Sequence, residues 1–207
     1  MSAELRKLIK DAGVRLVKEN LVQGTWGNIS VRSGNGKMLV TPSGMDYIRM
    51  SESDVVEVDI ETLEWDKSGV KPTSEKKIHA SVYRQYPNIN VVLHAHPYFS
   101  SAFAAAGAVV PSAADRSENL IALGAALKAK AGGEIIVGSY GLPGTKKLTK
   151  GVVNALPGRK ACLMANHGLL VLGETLEEAF ELLKAIENYC EAVIRGKLLI
   201  LPEQSKV

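Results

Sequence analysis

The chain has 207 residues, 46% of them apolar and 23% charged, with 25 basic and 22 acidic side chains. At about 100–200 residues per domain this is one domain or two small ones, able to bury a sizeable core; a disordered tail protein and a coiled coil are excluded. A net charge of +3 is mild, and the basic residues are scattered rather than interleaved with aromatics, which argues against a nucleic-acid face.

Residues Ala3 to Asn20 read as an amphipathic helix, because Leu5, Leu8, Ile9, Ala12, Leu16 and Val17 recur near helical spacing. The Gly24–Asn28 segment breaks that pattern. Ile29 to Arg32 alternates like a strand, and Gly34-Asn35-Gly36 turns it into a second strand, Lys37 to Thr41. Thr41-Pro42-Ser43-Gly44 closes it as a loop, and Val55 to Ile60 is a further strand. Lys71 to Glu75 introduces a helix that Pro87 stops. Asn90 to Ala95 is an apolar strand carrying His94, and Phe99–Ala106 and Glu118–Ala131 read as helices. Glu134 to Val137 is a strand, Gly138 to Thr145 a loop, and Lys146 to Leu156 a helix. Ala161–Ala165 and Leu169–Leu172 are strands joined through Asn166-His167-Gly168. Thr175 and Glu178 form a capping-box pattern that opens a helix from Leu176 to about Arg195. There are no repeats or linker-like runs, so a single domain over 1–207 of mixed α and β structure, with several hairpins, is expected.

The stretch from Ile89 to Ala114 lacks charged residues, but it holds two histidines, Pro97, Gly107 and Pro111. A spanning helix needs about 20 predominantly apolar residues, so a buried strand followed by a small-residue helix is the better reading. The first 20 residues are charged throughout, with no apolar signal core. Cys162 and Cys190 are too few for a disulfide framework and lack metal-pair spacing. Together these features favour a cytoplasmic protein with no membrane partner.

Only four histidines occur, and three of them sit at strand ends. In His94-Ala95-His96 the strand period of two sends both imidazoles to one face, at a spacing one metal ion can bridge. His167, in the tight Asn166-His167-Gly168 connection, lies at another strand end. Each alone could be a hydrogen-bonded structural histidine; together they favour a three-imidazole site with an open position. Glu75 follows Thr73-Ser74 in a first helical turn, where a carboxylate suits the helix dipole whether or not it has a further role. His79 reads as a helix-face histidine. Gly24-Thr25-x-Gly27-Asn28, Ser43-Gly44 and Thr73-Ser74 offer amides and hydroxyls for an anion, as do many ordinary turns. Neither a P-loop nor a dinucleotide glycine pattern is present.

With these residues in place, the chain resembles the class II aldolase/adducin family, and within it the zinc-dependent sugar-phosphate aldolases of the fuculose-phosphate type. The resemblance is carried in order by GTWGNISVR (24–32), LVTPSGMDY (39–47), VVEVD (55–59) and KPTSE (71–75). It continues through His79 and Tyr83, VVLHAHP (91–97), SYGLPGT (139–145) and NHGLLVLGETLEEAF (166–180). It implies a three-layer α/β/α fold with a central, mainly antiparallel sheet. It implies that His94, His96 and His167 are zinc ligands, with manganese, cobalt or iron as other fitting metals. Glu75 then matches a glutamate that coordinates the resting metal and acts as general base. Thr25, Gly27, Asn28, Ser43, Gly44, Thr73 and Ser74 match a phosphate pocket.

The implied reaction is reversible cleavage of a small ketose 1-phosphate to dihydroxyacetone phosphate and an aldehyde, with the zinc stabilising the enediolate. The implied assembly is a cytoplasmic homotetramer with active sites at subunit contacts. The family's tyrosine after the proline matching Pro111 is absent, and Asp115 stands at about that position as an alternative acid. No tyrosine matches the family's C-terminal tail, and Tyr140 is expected to pack beneath its loop. Same-fold epimerase, dehydratase and decarboxylase activities are alternatives. Glu75 argues against the epimerases, which usually have aspartate there. The three histidines argue against a non-catalytic adducin-like scaffold.

Overall fold

The computed structural model describes residues 2–111 and 117–199. Seven strands form one sheet: β1 (Asn28–Gly34), β2 (Lys37–Val40), β3 (Val56–Asp59), β4 (Val91–Ala95), β5 (Val137–Gly138), β6 (Ala161–Met164) and β7 (Gly168–Gly173). The spatial order is β3-β2-β1-β4-β7-β6-β5, and only the β5–β6 pair is parallel. Among the described residues six α-helices flank the sheet: α1 (Ser2–Lys18), α2 (Lys76–Gln85), α3 (Tyr98–Ala106), α4 (Glu118–Ala131), α5 (Lys146–Ala155) and α6 (Leu176–Leu199).

Alternation along the strands builds two cores. Ile29, Val31, Leu93 and Val171 face one way and pack with Ile9, Leu16, Phe103 and Phe180 from α1, α3 and α6. Val92, Leu170 and Leu172 face the other way and pack with Ile78, Val82, Leu148 and Val152 from α2 and α5. All five residues of β4 are buried, because helices cover both of its faces. This is the expected three-layer arrangement. Full burial of each large aliphatic side chain contributes about 1.5–3 kcal/mol, so the central strands hold register most firmly.

Local chemistry explains the junctions. Asn35 and Gly36 both have positive φ, 49° and 72°, as a tight β1–β2 hairpin requires. At the start of α6 the Glu178 amide donates to Thr175 Oγ1 at 3.2 Å, while the Glu178 carboxylate reaches back to the Glu174 amide at 3.0 Å. The expected cap is therefore present, with its return bond one residue earlier than the ideal box. The expected strand Glu134–Val137 is displaced to Val137–Gly138: Ile135 exchanges both backbone bonds with Val110, while Ile136 accepts from the Leu163 amide at 3.0 Å and Val137 and Gly138 pair with β6. Tyr140 does not pack beneath its loop and is 48% exposed. Among the described residues no helix is long and apolar enough to cross a membrane. The uncharged stretch before residue 111 instead divides into β4 and α3.

Candidate metal and active site

Strands β1, β4 and β7 are neighbours in the middle of the sheet. Their antiparallel registers pair Asn28 with His94 and His94 with Leu170. The start of β1, the end of β4 and the start of β7 therefore share one edge, where the register continues from Ala95–Leu169 to set Gly168 beside His96 and His167 one residue further on. Ring nitrogens of His94, His96 and His167 lie within 4.8 Å of one another.

The donor chemistry can be read ring by ring. His94 is buried, and its Nδ1–H donates to the Leu169 carbonyl at 3.0 Å, which leaves Nε2 as a lone pair. That lone pair stands 2.8 Å from His96 Nε2 and 3.3 Å from His167 Nε2. Burial, with the neighbouring rings adding to it, pushes His94 and His96 down to about 3, so both are neutral at neutral pH. Glu75 Oε2 is 3.4 Å from His94 Nε2, and Glu75 Oε1 is 3.5 Å from His167 Nε2. Tetrahedral ligands at roughly 2.1 Å from an ion stand about 3.4 Å apart, so these four side chains fit a shared cation of the zinc type. Glu75 Oε1 is buried with no hydrogen-bond partner, which also fits a group facing a ligand.

Two glycines make room for this cluster. A Cβ on Gly168 would sit 2.6 Å from the Ala95 carbonyl oxygen and 3.1 Å from ring carbons of both His94 and His96. Gly27 has φ of 93°, and a Cβ there would sit 2.7 Å from the His94 carbonyl oxygen.

Glu75 is placed by a turn rather than by the helix body. It occupies the N-cap of α2 instead of the expected first turn, and its side chain makes no capping bond. Thr73 does the capping instead, since its Oγ1 accepts from the Glu75 amide and its carbonyl accepts from the Lys76 amide. The carboxylate is thus left to face the three rings.

The anion-binding candidates are tied together by backbone bonds. The Ser43 amide donates to the Lys71 carbonyl at 2.9 Å and the Thr73 amide to the Thr41 carbonyl at 3.1 Å, which sets the Ser43-Gly44 loop beside Thr73-Ser74. Tyr47 reaches across to hold the Gly27 carbonyl at 2.8 Å. Thr25, Gly27, Asn28, Ser43, Gly44, Thr73 and Ser74 all line one cleft of about 400 Å3 with Glu75 and the three histidines. A wider cleft of about 620 Å3 runs along β3, where Lys37 pairs with Glu57 at 2.7 Å and Trp65, with its buried Nε1 unpartnered, lines the wall, but none of the three clustered histidines lines it.

Sequence reasoning misses three features of the site. The Asn28 side chain is buried and bonded to Glu75, so what it holds directly is the carboxylate. Trp26 also lines the cleft, 59% exposed, with its ring centroid 5.6 Å from that of His96. Its place between two glycines was the available sign, since a large aromatic in a tight loop needs a surface to lie against. His79 is fully buried and contacts Asn28, not the cluster itself. Asp115 lies outside the described residues, as does the tail from residue 200.

Comparison with known proteins agrees with this architecture. The chain is 34% identical over 199 residues to the 5-methylthioribulose-1-phosphate/5-deoxyribulose-1-phosphate aldolase of Rhodospirillum rubrum, covering 96% of this chain and 84% of that protein. It is 32% identical over 184 residues to the L-fuculose phosphate aldolase of Escherichia coli K12, covering 89% and 80%. Among solved structures, an L-fuculose 1-phosphate aldolase superposes with a TM-score of 0.84 at 30% identity, covering 96% of this chain and 89% of that one. The family described as Class II Aldolase and Adducin N-terminal domain matches residues 7–194, and the chain belongs to it.

Proposed function

We propose that the protein is a metal-dependent aldolase that reversibly cleaves a small ketose 1-phosphate to dihydroxyacetone phosphate and an aldehyde. The observation that carries this reading is the Glu75 carboxylate, unpartnered at Oε1 and within 3.5 Å of ring nitrogens of His94 and His167, in a cleft that His96 and the Ser43-Gly44 and Thr73-Ser74 loops also line. The relatives named as aldolases of fuculose, methylthioribulose and deoxyribulose phosphates support the substrate class.

The chain's own residues divide the work. His94, His96 and His167 would hold a divalent cation, zinc by the donor set, with Glu75 as the displaceable fourth donor. Such a cation supplies Lewis-acid stabilisation of negative charge on a carbonyl oxygen, worth several kcal/mol. The Ser43-Gly44 and Thr73-Ser74 loops, with Thr25 and Gly27, bind the phosphate and fix the substrate's register. Glu75 takes the carbon-bound proton of dihydroxyacetone phosphate, or returns it in the cleavage direction. Asp115 is proposed as the acid for the aldehyde oxygen. Exposed Trp26 and Leu142, the latter beside cleft-lining Pro143, support closure of the cleft by a neighbouring subunit in a homotetramer.

A coupled assay across fuculose, rhamnulose, ribulose and 5-deoxypentulose 1-phosphates, scoring release of dihydroxyacetone phosphate, tests the reaction. Glu75→Gln tests the base. It should lower exchange of the carbon-bound proton of dihydroxyacetone phosphate by about 10²–10⁴-fold. Native-rate exchange in that variant would remove Glu75 from the role, and silence across the sugar panel would remove the aldolase reading.

A further inference from the structure

Helix α2 and strand β1 meet through a row of polar side chains that packing does not require. Glu75, His79 and Tyr83 follow one another at four-residue intervals, and Asn28, Ser30 and Arg32 at two-residue intervals. Four helical residues rise about 6.0 Å and two strand residues about 6.6 Å, so the two rows stay in step for three rungs. Beside them the same helix meets the sheet through Ile78 and Val82, an ordinary apolar contact. Burying a polar row instead is costly unless every group finds a partner.

The row is nearly complete in that sense. Tyr83 OH lies 2.8 Å from Ser30 Oγ, and Ser30 Oγ lies 2.6 Å from His79 Nδ1. His79 Nε2 lies 2.5 Å from Asn28 Oδ1, and Asn28 Nδ2 donates to Glu75 Oε2 at 2.9 Å. Within the row, Glu75 Oε1 is the buried atom with no partner.

The direction of every bond follows from the carboxylate end. Asn28 turns its amide nitrogen, which can only donate, toward Glu75 Oε2, which accepts. The Asn28 oxygen then faces His79, which must carry its proton on Nε2. Nδ1 becomes an acceptor, Ser30 donates to it, and Tyr83 donates to Ser30 in preference to the Asn90 carbonyl at 3.3 Å. Four donors in series thus point at one oxygen of Glu75.

We propose that His79 is a positioning residue. Through Asn28 it fixes the plane of the Glu75 carboxylate and occupies Oε2, which makes Oε1 the oxygen that receives the substrate's proton. This rests on the reading of Glu75 as the base; Asn28, the last link, also lines the cleft, whereas His79, Ser30 and Tyr83 are not among its lining residues.

Three measurements test it. Nitrogen NMR of the histidine-labelled protein should find the His79 proton on Nε2; a proton on Nδ1 reverses the chain and overturns the proposal. His79→Leu should lower kcat about 10- to 100-fold with KM for the ketose phosphate changed less than about threefold. His79→Gln, whose amide can still donate to Asn28, should recover kcat to within about threefold of wild type. A folded His79→Leu protein with wild-type kcat overturns the proposal, as does a Gln variant no better than Leu. Should His79→Leu fail to fold, Tyr83→Phe cuts the row at its far end and should lower kcat several-fold, with no change overturning the relay. The Asn28 side-chain amide protons should exchange faster in whichever variant folds, a readout that needs no substrate. A wild type inactive on every ketose phosphate would therefore defeat the aldolase reading separately, while the tautomer and the amide exchange still decide the positioning role.

Discussion

Gly168→Ala is the smallest change that asks whether strand spacing sets the histidine cluster. The added Cβ would sit 2.6 Å from the Ala95 carbonyl oxygen, where contacts below 3.0 Å essentially do not occur, so β4 and β7 must part by at least 0.4 Å. That movement stretches the ladder pairing Ala95 with Leu169, and the rings of His94 and His96, 3.1 Å from the new methyl, must turn as well. Overpacking of a well-packed core costs about 1–3 kcal/mol. For a chain of this size each kcal/mol shifts Tm by roughly 2–4 °C, so a fall of roughly 2–12 °C is expected. Zinc affinity should fall by about 10-fold or more, since both rings lose their aim. Gly196→Ala is the control: nothing lies within 4 Å of its Cβ position, and in a helix alanine is favoured over glycine by up to about 1 kcal/mol. Calorimetry and zinc titration on both variants check the pair. A Gly168→Ala protein that melts and binds zinc like wild type would show that the close approach of the two strands does not set the site.

Three other outcomes follow from the same geometry. Ser74→Asp places a carboxylate in the loop proposed to bind the phosphate, where like charges at roughly 5 Å repel by about 1–3 kcal/mol. KM for a ketose 1-phosphate should rise at least about fivefold, and turnover of the unphosphorylated ketose should not change. In metal-free protein, His79, His94 and His96 are held down to about 3 from an ordinary 6.5, mainly by burial, so the unfolded chain takes up protons first as pH falls. Their contribution to stability is complete above about pH 6.5 and lost progressively toward about pH 3; urea unfolding at intervals from pH 7 to pH 4 should show the decline, and a flat profile would contradict burial as the cause. Metal binding should stabilise the fold, by about 2.7 kcal/mol at a free concentration 100 times Kd. A chelator should therefore lower the Tm of the zinc-loaded protein, and His94→Ala should abolish both the shift and the stoichiometric metal.

The parts legible in the sequence were those set by short-range periodicity. The His94–His96 spacing, the glycines around residue 35 and the apolar runs of β4 and β7 each determine local geometry within a few residues. Pairings over longer separations were not legible. Asn28 looks like one more polar loop residue, and its bond to Glu75 spans 47 positions. His79 reads as a helix-face residue because nothing local says that α2 turns that face toward β1. The helix boundary at Glu75 shifts by one position, because a Thr73 hydroxyl replaces the usual capping carboxylate. Tyr140 departs from expectation because an aromatic in a Gly-Pro loop is ordinarily packed, and here it stands at the surface.

The register of the sheet explains why core and chemistry are one constraint here. A one-residue slip of β4 would turn His94 into the layer of Phe103 and Phe180 and bring Leu93 or Ala95 to the cleft side. What forbids that slip is not the site but the apolar residues on both faces: Leu93 and Ala95 toward α3 and α6, Val92 with Leu170 and Leu172 toward α2 and α5. The polar row from Tyr83 to Glu75 could not fix the register alone, since its bonds contribute only about 1 kcal/mol each after desolvation. It can, however, choose among carboxylate orientations that the hydrophobic cores leave open. The cores thus bring the histidines and Glu75 to one strand edge within ångströms, and the hydrogen-bonded row sets the angle of the Glu75 carboxylate, which burial energy, having no direction, cannot set.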